Sequence, residues 1–226
     1  MITVHHLNNS RSQRVLWLLE ELELPYRIKR YERDAKTMLA PPALRKVHPL
    51  GKSPVITDGR LTVAESGAIV EYLVATYGQG RLVPAAGTPA RLRWTYWLHY
   101  AEGSLMTPLL MKLVFDRIET TPMPLLARPV ARAITSRAKE GFIQPQIDLH
   151  LDYLEAEIGR RGNKGWFAGP EFSAADIQMS FPLEAAAARA GLDSSRPGLV
   201  GFLDRIHARP AYRRALERGG EYGLQR

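Results

Sequence analysis

Two short stretches of the chain place hydroxyl groups where a helix is predicted to begin. In NNSRSQRV, Ser10 comes just before a helical run, and in AES, Glu65 and Ser66 join a strand to the next helix. The first turn of a helix carries free backbone N–H groups and the positive end of the helix dipole, so both places favour an anion. Spacing alone also fits a simpler role. Ser10 and Gln13 match a capping box, and Ser66 suits a helix cap.

Other site chemistries find little support in the sequence. His5 and His6 are consecutive in a predicted strand, so their side chains point to opposite faces and make a poor metal pair. The chain has no cysteine, which excludes disulfides, thiolate metal sites and a thiol nucleophile. It also has no glycine-rich phosphate loop and no Gly-x-Ser-x-Gly motif. We therefore expect no metal site.

The elements that position Ser10, Glu65 and Ser66 form an alternating pattern in the first third of the chain. Asp58 and Gly59 lie between two short β-prone runs, which is a strong hairpin signal. The order strand, helix, strand, helix, strand, strand, helix fits a small α/β domain. Strands are predicted at 2–7, 26–31, 55–57 and 60–63, and helices at 11–23, 38–47 and 66–77.

The rest of the chain has a helical pattern. Residues 78–89 are rich in glycine and proline and lack periodicity, which is typical of a domain linker. After this linker the strand signal disappears. Pro129 and Pro145 are expected to break or kink the second of the helical runs that follow. These runs are predicted at 90–118, 125–158, 173–190, 197–208 and 210–217.

The stretch FSAADI begins one of these helices. Ser173 is expected to cap the helix, and Asp176, three residues later, to reach back in a variant of the capping box. We therefore assign Ser173 and Asp176 a structural role.

Composition restricts the class of protein. A length of 226 residues suits one large domain or two small ones. The net charge of +8 is spread along the chain without any nucleic-acid-binding signature, so we expect no nucleic-acid partner. No apolar run is long enough to cross a membrane, and the N-terminus lacks the features of a signal peptide. We expect no membrane partner and a cytoplasmic location.

Three motifs carry a resemblance to a known family: SPVITDGRLTVAESGAIVEYL at 53–73, FSAADI at 172–177 and RPAYRRAL at 209–216. The chain resembles the cytosolic glutathione transferases over nearly its whole length, and its opening is similar to a bacterial and fungal serine-type branch. The resemblance implies the glutathione transferase fold, with an α/β thioredoxin-like domain over 1–79 and an all-α helical domain over 88–226. It also implies a homodimer, and glutathione as a co-substrate without a tightly bound cofactor.

By resemblance, the glutathione site belongs to the first domain. Pro54 matches the family's cis-proline, and the backbone of Ser53 would pair with the cysteinyl part of glutathione as an added strand does. Ser66 matches the residue that holds the γ-glutamyl carboxylate. Glu65 would take the ammonium group of glutathione, and Lys52 would reach the glycyl carboxylate.

The resemblance also points to a serine that favours the glutathione thiolate. In the serine-type branch the catalytic serine lies four residues before an arginine of the first helix, and Ser10 and Arg14 have this spacing. A hydroxyl donor at a helix N-terminus stabilises a thiolate. Asn9 and Ser12 are alternatives, because each places a donor in the same loop.

The family places its second substrate beside the first long helix of the second domain. By resemblance, Trp97, Tyr100 and Met106 would line a pocket for an electrophile, although their spacing also suits a helical core. The expected activity is transfer of the glutathione thiolate to small apolar electrophiles, as in detoxification, and peroxide reduction is a related use of the same thiolate. The alternative is a non-catalytic ligand-binding or regulatory protein on the same scaffold.

Overall fold

A computed structural model describes residues 1–34, 36–160, 162 and 165–224. The elements of its first part are β1 (Ile2–Leu7), α1 (Ser12–Glu21), β2 (Tyr26–Tyr31), α2 (Pro42–Arg45), β3 (Val55–Asp58), β4 (Leu61–Ala64) and α3 (Ser66–Tyr77). The strands form one sheet in the order β2-β1-β3-β4. β1 pairs in parallel with β2 and antiparallel with β3, and β3 forms a hairpin with β4. The predicted α/β arrangement is confirmed.

The remaining described elements are helices: α4 (Pro89–Tyr100), α5 (Met106–Thr120), α6 (Arg128–Ala138), α7 (Gln144–Gly159), α8 (Ala174–Arg189), α9 (Pro197–His207) and α10 (Pro210–Gly219). Within the described part of the chain, no strand follows Ala64. None of the helices in that part is long and apolar enough to span a membrane.

The helix predicted at 38–47 is much shorter than expected. Only α2 forms there, and it begins at Pro42. Pro41 and Pro42 disfavour a helical conformation for the residue before each of them, so the helix starts where the prolines end. Met38 has a positive φ of 61°, which also excludes a helix at that point.

The two long helical runs of the second part are each divided by one π-helical turn. These turns cover Ala101–Leu105, between α4 and α5, and Lys139–Ile143, between α6 and α7. Pro108 follows the first turn and Pro145 the second. Proline cannot donate the N–H that a regular helical turn requires, and a π turn changes the bonding pattern just before it. Pro129 instead lies in the first turn of α6, where that N–H is not needed.

Helix α1 is buried on nearly every side, although its sequence predicts a single apolar face. Nine of its ten residues are buried. It packs on β1 and α3 from the first part and on α8 and α10 from the second part. One hydrophobic cluster therefore includes buried residues of both parts, the first being Ile2 and the last Leu224. The domain boundaries at 79 and 88 stay a prediction.

Candidate active site

Ser10 lies in the loop between β1 and α1 and is almost fully buried, with 4% of the residue's surface exposed. The Ser10 Oγ lies 2.8 Å from the Ser12 Oγ and accepts a hydrogen bond from the Ser12 N–H at 3.2 Å. On another side, the Oγ of Ser53 lies 3.4 Å from the Ser10 Oγ. Ser10 therefore lies at the N-terminal end of α1 and beside the loop that precedes β3.

The capping box suggested by Ser10 and Gln13 does not form in the described part of this loop. The residue that flanks α1 is Arg11, and it makes no side-chain cap bond. The side chain of Gln13 instead lies against Gly219. A Cβ atom built on Gly219 would be only 2.5 Å from the Gln13 Oε1. Ser10 still serves one first-turn N–H, that of Ser12. The Ser10 hydroxyl thus supports the helix start without the reciprocal bond of a capping box.

The loop before β3 presents Ser53 to Ser10, although 43 positions separate them in the sequence. The peptide bond between Ser53 and Pro54 is cis. The Ser53 Oγ donates to the carbonyl oxygen of His5 at 3.2 Å, which holds this side chain against the end of β1. The structure therefore brings together Ser10 and Ser53, two of the residues predicted to contact glutathione.

Glu65 and Ser66 form the junction between β4 and α3. Glu65 has φ 69° and ψ 127°, a conformation that non-glycine residues rarely adopt. Backbone strain of this kind concentrates at binding sites. Glu65 is exposed, whereas Ser66 is buried at the first position of α3. The first turn of α3 contains no acidic residue, so its N–H groups suit an anionic ligand.

Two further predicted site residues, Lys52 and Asn9, are exposed. Lys52 directly precedes Ser53. Asn9 has a positive φ of 48°, and its Oδ1 accepts a hydrogen bond from the Gly223 N–H at 2.6 Å. Asn9 thus anchors the C-terminal segment through its oxygen, and any donation from Asn9 to a ligand falls to its NH₂ group.

The three residues predicted to line an electrophile pocket are buried among the helices of the second part. Trp97 is 1% exposed, and its ring contacts the rings of Tyr100 and Phe167. The Tyr100 hydroxyl lies 2.6 Å from the Nδ1 of His150 on α7, so this hydroxyl finds its partner without a pocket. Met106 is 8% exposed. This packing agrees with the helical-core alternative for the three residues, and the electrophile pocket stays a prediction.

A charged cluster that sequence analysis missed lies at the start of α1. Glu102, from the π turn after α4, forms ion pairs with Arg11 and with the fully buried Arg14. Burial alone would raise the pKa of Glu102, but the two arginines outweigh it and hold that pKa below its usual value. Arg14 also donates to the Gln178 carbonyl at 2.5 Å. The cluster ties the first turn of α1 to the helical part.

His6 is another residue near Ser10 that the sequence does not reveal, because two adjacent histidines in a strand suggest at most a metal pair. The His6 Nδ1 lies 2.8 Å from the Ser12 Oγ, whereas the His5 Nδ1 lies 2.9 Å from the Tyr31 hydroxyl. Burial, together with the charge of Arg30, lowers the pKa of His6 to about 4. The available signal was strand alternation, which places His6 and His5 on opposite faces. Among the described residues, no group of acidic and histidine side chains is arranged to hold a metal ion.

The capping box at the start of α8 is present. One carboxylate oxygen of Asp176 accepts hydrogen bonds from the Ser173 N–H at 2.8 Å and from the Ser173 hydroxyl at 3.0 Å. The other oxygen accepts from the Phe167 N–H at 2.8 Å. Burial raises the pKa of Asp176 to about 6, although these donors act in the opposite direction. The geometry supports a structural role for both residues.

The fold and the Ser10 region together define a class of protein. A four-stranded mixed sheet with a cis-proline loop beside the start of its first helix is a thioredoxin-like fold, and here an all-helical part follows it. Comparison with family models agrees. Residues 10–76 match the glutathione S-transferase N-terminal domain, and residues 126–217 match the glutathione S-transferase C-terminal domain.

Individual relatives extend this agreement to nearly the whole chain. Glutathione S-transferase 3 of Schizosaccharomyces pombe is 37% identical over 96% of this chain and 88% of its own length. Glutathione S-transferase 1 of Saccharomyces cerevisiae is 32% identical over 99% of this chain and 97% of its own. The crystal structure of a glutathione S-transferase from Actinobacillus pleuropneumoniae has a TM-score of 0.81 at 31% identity, covering 99% of this chain and 94% of that one. The chain belongs to the glutathione S-transferase family.

Proposed function

We propose that this protein transfers the thiolate of glutathione to small apolar electrophiles, and that the Ser10 hydroxyl stabilises the thiolate. The observation that carries the proposal is the 3.4 Å approach of the Ser10 Oγ to the Ser53 Oγ, at the N-terminal end of α1. A cysteinyl residue paired as an added strand beside Ser53 would bring its sulfur to the same place. The proposed co-substrate follows from the family, whose relatives are named for glutathione.

We assign the remaining groups of glutathione to residues at the start of α3 and beside Ser53. The γ-glutamyl carboxylate would be held by the Ser66 hydroxyl and by the free N–H groups that begin α3. Glu65 is exposed beside Ser66 and carries the charge that an ammonium group requires. Lys52 would serve the glycyl carboxylate. Together with Ser53, these residues form the proposed glutathione site.

The proposed role of Ser10 has a definite energetic scale. A free thiol has a pKa near 8.5, and lowering it by about two units requires about 2.7 kcal/mol of preferential stabilisation of the thiolate. A hydrogen bond to a charged acceptor contributes about 1.5–3 kcal/mol, and the N-terminus of α1 adds to it. Ser10 and the helix together are therefore sufficient in magnitude. Asn9 and Ser12 stay as alternatives for the donor.

The experiment is a titration of protein-bound glutathione, followed by the ultraviolet absorbance of its thiolate. In the wild type the bound thiol should ionise about two units below its free pKa, and in Ser10→Ala most of this shift should disappear. Ser180→Ala is the matched control, because Ser180 is also a buried serine and lies in α8. A full shift in Ser10→Ala would assign the donor role to another group.

Turnover separates the proposed transferase from its alternatives. Binding of glutathione without turnover of an aryl halide would favour a ligand-binding or regulatory protein on the same scaffold. Turnover of a hydroperoxide as well would add the peroxidase activity, since the same thiolate performs both reactions. The homodimer, the cytoplasmic location and a role in detoxification stay predictions.

A further inference from the structure

A chain of hydrogen bonds leads from Ser10 into the interior of the first part. The Ser10 Oγ lies 2.8 Å from the Ser12 Oγ, which in turn lies 2.8 Å from the Nδ1 of His6. Both distances lie in the usual range for a hydrogen bond donated by a hydroxyl group. Ser12 is fully buried, and Ser10 and His6 are each 4% exposed. The three side chains thus form a continuous path that bulk water does not enter.

The surroundings of His6 give this path a direction. The Nδ1 of His6 faces Ser12, and the backbone of Gly219 acts to raise the pKa of His6, as a carbonyl acceptor beside the ring does. Neutral His6 therefore carries its proton on the nitrogen toward Gly219 and presents a lone pair to Ser12. The Ser12 proton goes to His6, and the Ser10 proton goes to the Ser12 Oγ. Because the Ser10 Oγ also accepts the Ser12 N–H, one lone pair is left for a proton from the ligand side.

We propose that His6 takes up the thiol proton of bound glutathione through Ser10 and Ser12 and then passes it on. The inference rests on the proposed function, because it requires the glutathione sulfur beside Ser10.

The transfer is balanced at every atom. The S–H bond breaks, sulfur keeps the electron pair, and its proton bonds to the Ser10 Oγ. The original Ser10 proton moves to the Ser12 Oγ, and the original Ser12 proton moves to the His6 lone pair. After the transfer each hydroxyl points the other way, so that Ser10 donates to the thiolate and Ser12 donates to Ser10. Deprotonation and thiolate stabilisation are therefore one event.

The charges around His6 make it a relay rather than a store of protons. Burial and Arg30, its register partner on β2, disfavour the imidazolium, whereas the Gly219 backbone favours it. A polar cavity of about 80 Å³ adjoins His6. Exposed carboxylates of Glu32 and Glu221 line the cavity together with Arg30 and Tyr31. The cavity gives the proton an exit from His6.

The test is stopped-flow measurement of thiolate absorbance when glutathione is mixed with the full-length protein. His6→Asn keeps an acceptor near the place of Nδ1 but cannot take a proton, and Ser12→Ala interrupts the path. Because general-base transfer contributes about 10²–10⁴-fold, each variant should form the thiolate about 100-fold more slowly. In the wild type several protons move together, so a plot of the rate of thiolate formation against the deuterium fraction of the solvent should be curved. In Ser12→Ala the same plot should be a straight line.

Two controls make the outcome decisive. His5→Asn changes the neighbouring buried histidine on the other face of β1 and should leave the rate unchanged. The deuterium measurement on the wild type requires no variant, so it tests the relay even where a variant fails to fold. Wild-type rates in both His6→Asn and Ser12→Ala, or a straight deuterium dependence in the wild type, would overturn the relay. Wild-type rates in His6→Asn and Ser12→Ala, together with a bound-thiol shift that is lost in Ser10→Ala, would keep the proposed function while rejecting the relay.

Discussion

Replacement of Asp176 by alanine should destabilise the protein strongly without touching the proposed glutathione site. The carboxylate is fully buried and accepts the backbone N–H groups of Phe167 and Ser173, both at 2.8 Å. Asp176→Ala leaves both donors buried without an acceptor, and each unsatisfied group costs about 1–3 kcal/mol. We therefore expect the free energy of unfolding to fall by about 4 kcal/mol. Urea denaturation followed by circular dichroism measures this change.

Two further measurements test the reasoning behind this number. Burial raises the pKa of Asp176 to about 6, so the denaturation is done at about pH 8, where the carboxylate is ionised. Ser173→Ala removes the serine hydroxyl but keeps both backbone donors satisfied, so it should cost only about 1 kcal/mol. If Asp176→Ala lowers the free energy of unfolding by less than about 1 kcal/mol, water or a rearrangement satisfies the two N–H groups. That result would refute the prediction that both groups are left without an acceptor.

The remaining predictions concern His6 and the oligomeric state. The pKa of His6 falls from 6.5 in the unfolded chain to about 4 in the folded protein, so between these values the unfolded chain binds more protons. The free energy of unfolding should therefore fall as the pH drops through this window, by up to about 3 kcal/mol at 1.36 kcal/mol per pH unit. His6→Asn should lack this loss of stability. Denaturation of both proteins at a series of pH values measures it, and an equal dependence on pH in the two proteins would contradict the prediction. Exposed leucines on α4 and α5, namely Leu92, Leu110 and Leu113, favour an interface, and a homodimer should sediment near twice 25.4 kDa; a monomer at micromolar concentration would refute it.

Local patterns predicted the fold well where a single signal decides the structure. The Asp58-Gly59 turn and the capping box at Ser173 each depend on neighbouring residues alone, and both form as expected. The burial of α1 could not be predicted in the same way. Two of the elements that cover α1, α8 and α10, lie far away in the sequence. Periodicity shows which face of a helix is apolar, but it does not show what covers the other face.

The site shows the same division between local and distant information. The places of Ser10 and Ser66 at helix starts indicated these two residues, whereas Ser53 was indicated by the resemblance to the family. The sequence did not indicate the partner of the Tyr100 hydroxyl, which is His150, 50 positions later on another helix. Buried polar groups seek partners wherever the fold supplies them, so a requirement for a partner does not by itself indicate a pocket.

The C-terminal segment explains why the helical part matters to a hydroxyl in the first part. Near Ser10, Asn9 accepts the Gly223 N–H, and the neighbouring Tyr222 hydroxyl donates to the buried Glu184 of α8 at 2.6 Å. The loop is therefore anchored to the sheet through Ser53 and to the helices through this segment. A donor must be held in place to favour a thiolate over a thiol, since a mobile hydroxyl loses its advantage to entropy. The close packing of both parts on this loop is thus a condition for the proposed chemistry of Ser10.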